Sequence, residues 1–168
     1  MAAVADAFGV GRFAVMGASG GGPHAPACAA LLGDRVACAA TIAGIAPYTE
    51  DVDWFAGMRG PGGLRAAREG RAARARYAET DEFDPESFTA ADWAALQGRW
   101  RSLGADAMAA GEAGPDGLVD DDLGFASPAH ADWMVRRCAR PELWLRPRDG
   151  HVSVLDACAV AIEWLRAH

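Results

Sequence analysis

The chain contains no lysine and no asparagine; all 16 of its basic side chains are arginine. Without lysine, its glycine-rich stretch near residue 20 cannot be a phosphate-cradling P-loop, and that stretch also lacks the G-x-G-x-x-G spacing of a dinucleotide site. Positive charge is in deficit as well: the formal net charge is −7, which argues against general affinity for nucleic acid and favours solubility. No apolar run reaches the ~18 residues of a membrane span. Residues 1–6 carry no basic segment, so they do not read as a secretory signal. Only four cysteines occur, at 28, 38, 138 and 158, and none forms C-x-x-C. A disulfide framework and a zinc site therefore have little support, and no metal or other cofactor is expected. Buried free thiols in a reducing cytoplasm are the expectation. The missing lysine and asparagine, set against abundant Ala, Gly and Arg, suggest a GC-rich, bacterial genome.

What is present is enough for one domain: 168 residues, 51% of them hydrophobic. The most informative segment is Phe13-Ala14-Val15-Met16-Gly17-Ala18-Ser19-Gly20-Gly21. A short apolar run climbs to a serine held between glycines, matching G-x-S-x-G, in which a strand breaks sharply into a helix and exposes the serine hydroxyl. Given 20 glycines and five serines, chance yields roughly 0.07 such patterns. The context raises its weight, because a small-residue helix follows with Cys28, Ala29, Leu31 and Leu32, closed by Gly33-Asp34. Val36–Ile42 is a second apolar run, reading as a strand buried on both faces in a parallel sheet. Together the segments predict a right-handed βαβ unit.

The expected organisation is an α/β core over residues 1–47, a helical cap over 48–117 and the C-terminal part of the core over 118–168. In the cap, Thr89-Ala90-Ala91-Asp92 has the form of a capping sequence. Arg59, Arg65, Arg68, Arg71, Arg74 and Arg76 form a charge stripe that reads as a solvated face more readily than as an anion site. Trp54, Phe55, Phe88, Trp93 and Trp100 read as packing residues before pocket-lining ones. In the last third, 129–139 predicts a helix, 142–145 a strand, 146–150 a turn, and 154–167 a helix with Leu155, Cys158, Ile162 and Leu165 at helical spacing. About three parallel strands result.

A serine nucleophile needs a base. His168 is terminal, His130 opens a helix, and His24 begins the helix after the elbow. His151 follows a strand and a glycine turn late in the chain, where the order Ser, acid, His places the base. The elbow segment from Val15 to His24, with Leu143-Trp144-Leu145-Arg146-Pro147-Arg148-Asp149-Gly150-His151 and the cap between them, resembles α/β-hydrolase-fold proteins of the bacterial serine esterase and prolyl-aminopeptidase-like kind. The resemblance runs over nearly the whole chain. It implies a partial hydrolase fold with Ser19 as nucleophile, His151 as base and the Gly20 N–H as an oxyanion donor. It also implies serine-dependent hydrolysis of a small ester, amide or related acyl substrate, with no nucleic-acid or membrane partner.

Two departures accompany it. The strands that precede the elbow in that family, with the loop giving the second oxyanion N–H, are not in this sequence. Near Pro128 about one βα unit, ~30 residues, that would carry the triad acid also looks skipped. Glu50, Asp51 and Asp53, after the second strand, are candidates for the acid. Asp120, Asp121 and Asp122 read better as a helix N-terminal cluster, and Asp149 as a turn stabiliser. The alternative expectation is a truncated, inactive relative serving as a binding or interaction module, with sheet edges open to self-association.

Overall fold

The structure is a computed structural model that describes residues 1–44, 46, 48–51, 53–112, 114, 135–136 and 138–168. The described residues fall into two compact units, Met1–Ile45 with Leu155–His168, and Ala46–Val154.

In the first unit, Ala2–Ala7 (α1) precedes the apolar run Phe13–Ala18 (β1). His24–Leu32 (α2) then leads to Val36–Ile42 (β2). The strands pair in parallel, Phe13 opposite Val36 and Ala18 opposite Ile42, with one irregularity between Phe13 and Val15. Two parallel strands need a crossover between them, and α2 supplies it. Gly33 ends α2 at φ 52° and ψ −125°, a backbone conformation open to glycine. The final helix, Cys158–Ala167 (α7), packs on both strands, and Cys38 Sγ lies 3.6 Å from the Leu165 carbonyl. Val15, Ala25, Ile42, Ala157 and Ala161 are buried here. Arg35 fastens the start of β2 to the segment before β1: Nε donates to the Gly11 carbonyl at 3.1 Å, Nη2 to the Val10 carbonyl at 2.8 Å, and Nη1 to Asp6 at 2.7 Å.

Among the described residues the sheet has two strands, β1 and β2, and not about three. The expected strand at 142–145 forms no ladder among the described residues. Leu143, Trp144 and Leu145 remain exposed. The expected helix at 129–139, Pro128, His130 and the three aspartates at 120–122 lie wholly or mostly outside the described residues.

The second unit is helical. Gly62–Arg68 (α3) and Arg71–Ala78 (α4) pack together across Gly70, whose φ of 101° permits the sharp change of direction. Ala90–Gln97 (α5) and Arg101–Glu112 (α6) form a second pair. Aromatic side chains join the loops to the helices, as packing predicts. Trp54 is buried against Tyr48 and Phe55, with ring centroids at 5.3 and 4.9 Å. Phe83, Phe88 and Trp93 make another cluster.

The arginine stripe is only partly a solvated face. Arg65 stacks on Phe55 at 4.1 Å and Arg68 on Tyr48 at 3.6 Å, so their planar cations cover aromatic surface while staying exposed. Arg74 is buried. Its guanidinium takes the space that a side chain at Gly63 would fill, since a Cβ there would come within 3.2 Å of Arg74 Cζ. Among the described residues no helix is long and apolar enough to cross a membrane. The cysteines are free, but where buried thiols were expected Cys28, Cys38 and Cys158 are half-buried and Cys138 is exposed.

Candidate functional site

Ser19 stands directly after the last residue of β1, where Ala18 pairs with Ile42 of β2. Its φ is +48°, the left-handed region that a β-carbon disfavours. Such backbone strain, of order 1–3 kcal/mol, persists where the surroundings over-determine it. Those surroundings are glycines. A Cβ on Gly17 would strike the Gly21 carbonyl, and one on Gly22 would strike the Gly44 Cα and lie 2.8 Å from the Ser19 carbonyl oxygen. Gly22 N–H donates to that same oxygen at 2.8 Å. By contrast, a Cβ on Gly21 would meet nothing within 4 Å. The tight positions are therefore Gly17 and Gly22, whereas the motif names Gly17 and Gly21.

The hydroxyl-bearing residue is exposed, as an elbow requires. The helix does not begin at once, however. Ser19–Gly21 forms one 3₁₀ turn, and α2 starts at His24, behind Pro23. Ala43, just after β2, is also left-handed at φ 46°. Both strained residues thus lie at the carboxyl ends of two paired parallel strands, the edge where open α/β sheets place ligands. Gly20 is half-buried in the 3₁₀ turn, and His24 is exposed on the first turn of α2. His168 stacks on Trp164 with centroids 4.3 Å apart, and its Nδ1 lies 2.9 Å from the Trp164 carbonyl.

His151 belongs to the second unit, so Ser19 and His151 come from different units. Its turn is built locally. Asp149 N–H donates to the Arg146 carbonyl at 3.1 Å, and the Arg146 guanidinium pairs with the Asp149 carboxylate. Asp149 is thus a turn stabiliser, as its position suggested. His151 itself is exposed, whereas Val152 and Ser153 are buried. Desolvation by the surrounding protein lowers the His151 pKa below its ordinary 6.5, and the negative charge of Asp92 opposes that shift.

Asp92 is the residue that sequence reasoning passed over, naming it only as part of a cap. The cap is real: Thr89 Oγ1 accepts from Asp92 N–H at 3.2 Å, and Asp92 Oδ2 accepts from Thr89 N–H at 3.0 Å, a reciprocal capping box. Asp92 Oδ2 also accepts the Thr89 hydroxyl at 2.9 Å. The other oxygen, Oδ1, accepts Val152 N–H at 2.7 Å, Ser153 N–H at 2.8 Å and the Ser153 hydroxyl at 3.1 Å. Asp92 is 1% exposed. Burial alone would raise its pKa, but bonds from Ser153 N–H, Thr89 N–H, the Thr89 hydroxyl and Val152 N–H outweigh it and hold the carboxyl at about 2.

The acids expected from the sequence lie in the stretch after β2. Glu50, Asp51 and Asp53 are exposed. Asp53 Oδ1 accepts Phe55 N–H at 3.3 Å, closing its own turn, and Asp51 N–H donates to Thr49 Oγ1 at 3.1 Å. Among the described residues no group of three or more His, Cys, Asp or Glu side chains gathers as a metal site would require.

Comparison of the chain with protein families, with curated proteins and with solved structures finds no match.

Proposed function

We propose that this chain is a serine hydrolase of the α/β-hydrolase kind, acting on a small ester, amide or related acyl compound. The observation that carries the reading is Ser19: an exposed serine in a left-handed conformation, at the carboxyl end of a parallel strand and before the crossover helix. That backbone is costly for any residue but glycine. A serine kept there suits a nucleophile better than a turn.

In the proposed reaction Ser19 Oγ bonds to the acyl carbon as the carbonyl electron pair moves onto oxygen. His151 takes the serine proton. The oxyanion is received by the Gly20 N–H. Collapse re-forms the carbonyl and breaks the bond to the leaving group, which takes the proton from His151. Water, with His151 again as base, repeats the sequence and frees the acid and Ser19. A histidine with a lowered pKa is neutral, and so able to accept a proton, at pH 7. Glu50, Asp51 or Asp53 would serve as the orienting acid in this reading.

A binding or interaction module descended from the same fold is the second reading. The observation favouring it is the described sheet of only two strands, with Met16 of β1 exposed, which offers an edge for self-association. A fluorophosphonate probe separates the two. The hydrolase reading expects a covalent adduct on Ser19 that His151→Ala slows strongly. No adduct on Ser19 favours the module.

A further inference from the structure

The capping box at α5 needs only one carboxylate oxygen, and Asp92 uses Oδ2 for it. Its second oxygen is committed about 60 residues away along the chain, to the loop that carries His151. We propose that Asp92 is the positioning residue of His151, anchoring the 150–153 loop to the N-terminus of α5 and placing a buried negative charge beside the imidazole. This inference rests on His151 being the base of the proposed hydrolase.

Four features of the loop support it. Val152 and Ser153 give both backbone N–H groups to Asp92 Oδ1. The Ser153 hydroxyl bonds the same oxygen and also accepts Gly150 N–H at 2.7 Å, so the residue before His151 is fixed through the same anchor. Position 150 admits only glycine, because a Cβ there would collide with the Asp92 carboxylate. Finally, the anchored neighbours are buried while His151 itself remains exposed. An ordinary helix cap would call for none of these.

The chemistry follows from the saturation of the carboxylate. With five donors on its two oxygens, Asp92 acts on His151 through the loop and through its field. It therefore differs from an acid that accepts the imidazole N–H directly, as in the usual triad. When His151 takes a proton, the imidazolium forms next to a full negative charge that is held ionised down to pH about 2. Other charges near His151 along the chain are Arg146 and Asp149, which pair with each other, Arg148 and Asp156. Among the described residues, the negative charge of Asp92 on α5 acts on the ring.

The experiment is an NMR pH titration of the His151 ring in the whole chain and in Asp92→Asn, run beside the rate of fluorophosphonate labelling at Ser19. The expected result is a His151 midpoint that moves to lower pH in the variant, with labelling slowed ~10²-fold as the base is misplaced. A His151 midpoint unmoved in a folded Asp92→Asn overturns the proposal, since a purely structural cap would leave it in place. If that variant fails to fold, the wild type carries the test. The Asp92 carboxyl carbon then shows a chemical-shift step at the His151 midpoint, and a flat response through that pH overturns the proposal. Absence of Ser19 labelling in the wild type defeats the hydrolase reading, while the titration still reports on the Asp92–His151 pair, so the two failures are separable.

Discussion

Acid should weaken this protein through Asp92 in a narrow window, and the size of the effect follows from its surroundings. The folded state holds the carboxyl at about 2 against an ordinary 3.8. At ~1.4 kcal/mol per pKa unit, that displacement amounts to about 2 kcal/mol of stability. The sign follows from linkage: the folded pKa is depressed, so the contribution is complete above pH 4 and is lost as pH falls towards 2. Asp92→Asn cannot titrate and should lose none of it in that range. The assay is urea unfolding of wild type and variant between pH 5 and 2. The wild-type advantage should shrink by about 2 kcal/mol across that range. An advantage that stays constant refutes the argument, because the hydrogen bonds to Oδ1 and Oδ2 would then not be holding a carboxylate.

Two further predictions concern the elbow. Gly17→Ala and Gly22→Ala should each cost ~1–3 kcal/mol in chemical denaturation, because their Cβ atoms meet backbone that cannot move aside, while Gly21→Ala should fall within ~0.5 kcal/mol of wild type. Equal losses at 21 and 22 would contradict the packing described. Ser19→Gly should be more stable than Ser19→Ala by about 1 kcal/mol, since only glycine relaxes at φ +48°. Thermal melts of the two variants decide it, and a more stable alanine variant would mean that the left-handed turn is not strained.

The parts legible in the sequence are those that short-range chemistry fixes. Phe13–Ala18 and Val36–Ile42 are apolar runs bounded by turn residues, and both are strands. Thr89 and Asp92 sit three apart before a helix, and their capping box forms. What escaped depends on distant partners. The run at 142–145 has strand composition but finds no ladder among the described residues, and nothing local says whether a neighbour strand awaits it. Arg74 looks like one more charge on a stripe, and its burial depends on a glycine at 63, on the neighbouring helix. Asp92 Oδ1 reaches a loop some 60 residues on, and no spacing rule connects positions that far apart. Gly22 matters through Gly44, which the G-x-S-x-G pattern does not include.

The central claim is a nucleophilic Ser19 activated by His151, and active-site labelling tests it most directly. Wild type, Ser19→Ala and His151→Ala are treated with a fluorophosphonate, and the adduct is mapped by peptide mass spectrometry. The account predicts an adduct on the peptide bearing Ser19 in the wild type, none in Ser19→Ala, and labelling slowed by at least ~10²-fold in His151→Ala. Equal labelling of the wild type and His151→Ala, or an adduct on another residue, would contradict it.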